Sequence, residues 1–168
     1  MNLKQMPEET SSVNMLIYLL LRYPQIIFIN YNLAKNLFCI SFMLKEKLET
    51  ERYITFRKSF SECLVTFKEI VGVNHSTGIK RKNVDGRTLL QITWKNKNIS
   101  IEEVNLVSSL VLKEFHRELI IESRKENYIP KNNDEGEAYE YLQTRRKERE
   151  EENLFAFREA GRVYVFDK

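Results

Sequence analysis

Hydrophobic and polar positions alternate most clearly between Ile79 and Trp94. Leu90, Ile92 and Trp94 are separated by Gln91 and Thr93, a period of two that predicts a strand with one apolar face. Before Asp85-Gly86, Ile79, Arg81 and Asn83 share one face while Lys80, Lys82 and Val84 share the other. Asp-Gly between two such runs favours a type I′ turn, whose central residues both need positive φ. The mostly polar first strand is expected at a sheet edge, where lysines discourage stray strand pairing. After Ser100 the period lengthens. Val104, Val107, Val111 and Phe115 repeat every three or four residues, the stripe of a helix lying on a sheet. Ser100 is placed as its N-cap, with Glu103 reaching back to the Ser100 amide and Ile99 stapled to Val104.

The earlier half repeats this order. A helix over about Thr10–Arg22, apolar nearly all round, ends before Pro24. Such a helix is surrounded by its own domain or shared with another subunit. Ile26–Tyr31 and Leu37–Leu44 predict two strands joined by a turn at 32–36, the second apolar on both faces and hence central. Tyr53, Phe56, Phe60, Leu64, Phe67 and Val71 form the stripe of a helix over about Thr50–Val71, and Gly72 is placed as its left-handed stop. Two strand-strand-helix units predict an α+β fold: an antiparallel sheet of about four strands with helices on one face. Hairpins supply such a sheet without parallel crossovers, so a dinucleotide-binding architecture is disfavoured.

The pattern then breaks. From Asp134 to Asn153 charges dominate and no heptad is sustained, which predicts a charged linker or helical arm. Beyond it, Leu154–Arg158 and Arg162–Phe166 predict a hairpin across a three-residue loop, Glu159-Ala160-Gly161. In that register Phe155, Phe157, Val163 and Val165 share one face, and Leu154, Ala156, Tyr164 and Phe166 the other. A lone hairpin with two apolar faces is marginal in water, so it must pack on its own core or on a neighbouring molecule. The expected organisation is a core domain over 1–121, an arm over 122–153 and the hairpin over 154–168.

Composition changes little in this picture. The 168 residues suffice for one domain with a real core. A net charge of +3 neither demands nor excludes an anionic partner. Cys39 and Cys63 are expected as buried free thiols, which fits a reducing compartment. The apolar run Val13–Leu21 is cut by Arg22 and Pro24, too short to span a bilayer, and it lacks the flanks of a secretory signal. The expected location is therefore cytoplasmic, with no membrane partner.

Candidate chemistry is sparse. The five glycines form neither a dinucleotide fingerprint nor a phosphate loop, and the scattered histidines and cysteines give no metal spacing. No cofactor is expected. His75, in the polar loop Asn74–Gly78, is the one position suited to a proton-transfer step. It is expected to be exposed. The candidate nucleic-acid contacts are Lys80, Arg81, Lys82, Arg87, Lys95 and Lys97, on or beside one hairpin, with nearby aromatics available for stacking. Trp94 is expected in the core, which weakens that reading. Phe155, Phe157, Tyr164 and Phe166 are the candidate interaction residues. The sequence favours a non-catalytic interaction or regulatory protein that self-associates or docks a protein partner. The alternatives are a nucleic-acid-binding module built on the basic hairpin, and an enzyme with a site near His75.

Overall fold

The computed structural model describes residues 12–95, 99–122 and 153–167. They form an α+β fold with three helices and a six-stranded antiparallel sheet. In chain order the elements are α1 (Ser12–Arg22), β1 (Phe28–Asn32), β2 (Leu37–Leu44), α2 (Thr50–Val71), β3 (Ser76–Val84), β4 (Arg87–Lys95), α3 (Ile101–Phe115), β5 (Asn153–Glu159) and β6 (Arg162–Asp167). The strand order across the sheet is β3-β4-β2-β1-β5-β6. The expected sheet of about four strands is widened because β5 pairs with β1. The C-terminal hairpin thus hides its inward face within its own chain.

One row of residues crosses all six strands in register: Ile79, Ile92, Ile40, Ile29, Ala156 and Val165. This face joins the buried side chains of all three helices in a single core. Leu16, Leu19 and Leu20 come from α1, Phe56, Phe60 and Leu64 from α2, and Val104, Val107, Val111 and Phe115 from α3. Truncating a buried row member such as Ile92 to Ala is worth about 2–5 kcal/mol. The predicted stripes of α2 and α3 are therefore the packing stripes. Trp94 is fully buried, in contact with Phe38.

Local signals explain the ends of the elements. Gly72 takes φ 71° and its amide bonds to the Lys68 carbonyl, closing α2. Asp85 and Gly86 take φ 49° and 77°, the type I′ turn expected between β3 and β4. The Ser100 hydroxyl accepts from the Glu103 amide at the start of α3. After α3 the chain returns to the sheet, where Leu119 bridges Leu44.

The C-terminal hairpin departs from the expected register. Glu159 pairs with Arg162, so its loop is the two residues Ala160 and Gly161, at φ 50° and 79°. A shift of one residue exchanges the faces of one strand relative to the other. Leu154, Ala156, Val163 and Val165 therefore turn inward together. Phe155, Phe157, Tyr164 and Phe166 turn outward together, on the face opposite the core.

The cysteines differ from expectation as well. Both are free, but Cys63 is exposed on α2 and Cys39 is half-buried. The periodicity that buries Phe60 and Leu64 places Cys63 on the solvent side. Among the described residues no helix is long and apolar enough to cross a membrane.

Candidate interaction face

The outer face of the sheet, opposite the core, carries two kinds of side chain. At the β1-β5-β6 end, five rings gather: Phe28, Phe155, Phe157, Tyr164 and Phe166. Phe155 and Phe166 stack at 5.5 Å with 13° between planes, and Phe157 and Tyr164 at 5.3 Å with 19°. Phe28 joins them through Phe155 at 5.6 Å. Tyr164 and Phe166 are 41% and 44% exposed, large for apolar rings. The strands direct these contacts. Phe155 lies opposite Phe166 and Phe157 opposite Tyr164 across the β5-β6 ladder, while Phe28 lies opposite Phe157 across β1-β5.

At the other end, Lys80 and Lys82 on β3 and Arg87 and Lys95 on β4 alternate onto the same face and are exposed. One predicted member of the basic cluster does not join them. Arg81 alternates to the core side, where it donates to the Leu48 carbonyl and the Thr50 hydroxyl, both at 2.7 Å, and lies over the Tyr53 ring. Lys97 lies outside the described residues.

Ser41 of β2 is fully buried although it lies on the outer side, flanked in register by Phe28 and Gln91. Its hydroxyl has no hydrogen-bond partner. Burial raises the neighbouring Cys39 thiol above its usual pKa, while Thr93 and Ser41 pull it down.

A second cluster lies inside the molecule and centres on Glu103, whose side chain is 1% exposed. One oxygen, Oε1, accepts from the Trp94 indole at 2.9 Å and the Thr77 hydroxyl at 3.0 Å. The other, Oε2, lies 2.7 Å from His75 Nε2. The Lys68 ammonium donates to the His75 carbonyl and to the Thr77 hydroxyl, each at 2.7 Å, and sits 3.8 Å from Glu103. Desolvation lowers the Lys68 pKa below its ordinary value, with Glu103 opposing that shift.

His75 is therefore not the exposed loop residue expected; its side chain is 8% exposed and turned toward α3. Glu103 likewise sends its carboxylate to β3 and β4 rather than back along its own turn. The signal that points here is Trp94. A buried indole N–H needs an acceptor, and no acceptor follows from the alternation that buries the ring. Chemically, the cluster ties the end of α2, the start of β3, the end of β4 and the start of α3 around one acceptor. Among the described residues no group of three or more His, Cys, Asp or Glu is arranged to hold a metal ion.

No family model, no curated protein and no solved structure matches the chain.

Proposed function

We propose that the protein is a non-catalytic interaction module whose outer sheet face docks a protein partner. The observation that carries this reading is the cluster of five rings on that face, two of them more than 40% exposed. Exposed aromatic groups match the compositional signal of interfaces, in which Tyr and Phe are enriched. An isolated exposed ring is ordinary; a contiguous patch marks a contact surface.

The lysines at the far end also suit a nucleic acid, but the ring geometry favours protein. Base stacking uses the open faces of aromatic rings. Here Phe155 faces Phe166 and Phe157 faces Tyr164, so much of each ring face is already used. Edges and outer rims remain, and these suit apolar side chains. Trp94, the largest ring of the basic hairpin, is buried on the other side.

The test compares the wild type with Tyr164→Ser/Phe166→Ser in partner purification from source cells, with and without nuclease. The reading expects a discrete polypeptide, identified by mass spectrometry, that is lost from the variant and insensitive to nuclease. An unchanged protein profile, or a bound component removed by nuclease, contradicts it.

A further inference from the structure

Resting on that docking face, we infer that the partner contributes an acidic segment bearing aromatic side chains, laid across the strands from β3 to β6. Charge is the first argument. Among the described residues the outer face presents Lys80, Lys82, Arg87, Lys95 and Arg162 against one acid, Glu159, which lies beside Arg162. Its excess of four positive charges exceeds the +3 of the entire chain, so the remainder is slightly acidic. The side chains of Lys80, Lys82, Arg87 and Lys95 make no hydrogen bond or ion pair among the described residues. They are free to meet carboxylates.

Position is the second argument. One row of the outer face runs Lys80, Gln91, Ser41, Phe28, Phe157, Tyr164. Five strand spacings separate its ends, about 24 Å. A segment following this row meets the cationic end first and the rings last. A helix of about 16 residues covers the span. The partner must therefore be bipartite, with carboxylates toward β3 and aromatic groups toward β6.

The experiment uses the full chain and fluorescence anisotropy with three labelled probes. The first is a peptide of about 16 residues with Tyr after every third Glu, the second an all-Glu peptide of the same length. The third is an oligouridine. The expected result is that the Tyr-bearing peptide binds about tenfold more tightly than all-Glu. Lys80→Glu/Lys82→Glu should weaken both peptides about tenfold, and more so at low salt. Tyr164→Ser/Phe166→Ser should abolish only the advantage of the Tyr-bearing peptide. Because all four positions are exposed, circular dichroism should show both variants folded. Equal binding of the two peptides, tighter binding of oligouridine, or no binding at all overturns the inference. If the purification described above still yields a protein that needs Tyr164 and Phe166, the docking face stands and the partner chemistry falls.

Discussion

Glu103 Oε2 lies 2.7 Å from His75 Nε2 although 28 positions separate the residues in the chain. The contact turns a capping-box acid into the centre of a tertiary network. Helix α3 is thereby fixed to the sheet at its first turn, before its apolar stripe begins to pack.

That role makes Glu103→Gln informative. The substitution keeps the shape but sets an amide N–H₂ against groups that already donate, from Trp94 and Thr77 on one side or His75 on the other. Stability should fall by about 2–3 kcal/mol, read as a lower urea midpoint with unchanged slope. An unchanged midpoint would mean the network contributes little.

Lys68 should give the molecule a signature at alkaline pH. Burial holds its pKa below the ordinary 10.5. Between its folded pKa and that value the unfolded chain binds the extra proton, so stability rises with pH in this window. Lys68→Met removes the rise. Urea unfolding of both proteins should show the wild type gaining on the variant as pH approaches 10.5. A gap that shrinks with rising pH would contradict the assignment.

The turn of the C-terminal hairpin is open to improvement. Ala160 holds φ 50°, a conformation that suits Asn better than Ala. Ala160→Asn should raise stability by about 0.5 kcal/mol, and Gly161→Ala should lower it by about 1 kcal/mol. Thermal melts that reverse this order would argue for a different loop.

Ser41→Ala tests the buried hydroxyl of β2. Removing a buried hydroxyl without a hydrogen-bond partner should leave the protein equally stable, or more stable by up to about 1 kcal/mol, in urea unfolding. Lower stability of the variant would show that the hydroxyl already has a partner.

Much of the fold was legible in the sequence because its signals are local. Asp85-Gly86, Ser100 and Gly72 each fix a chain direction through their own backbone chemistry, and the stripes of α2 and α3 state which side is buried. The register of the C-terminal hairpin is not legible in the sequence because Gly161 fits either a three-residue loop or a two-residue turn. The second needs Ala160 at positive φ, which its side chain does not advertise. That single step of register decides whether the four candidate rings point apart or together. The Glu103 network was hidden for a different reason. Glu103 satisfies a local motif, and nothing in the spacing of Lys68, His75, Thr77 and Trp94 shows that they converge. The basic cluster was legible as composition but not as a surface, since alternation sends Arg81 inward.

The account turns on the outer face being the docking surface, and site-specific photo-crosslinking tests this most directly. A photoreactive phenylalanine analogue is placed at Tyr164, or at Ile54, which is 58% exposed on α2 and serves as the control. In source cells the Tyr164 position should yield a discrete protein adduct and the Ile54 position should not. Adducts at Ile54 alone, adducts at neither position, or a nucleic acid adduct at Tyr164 would contradict the account.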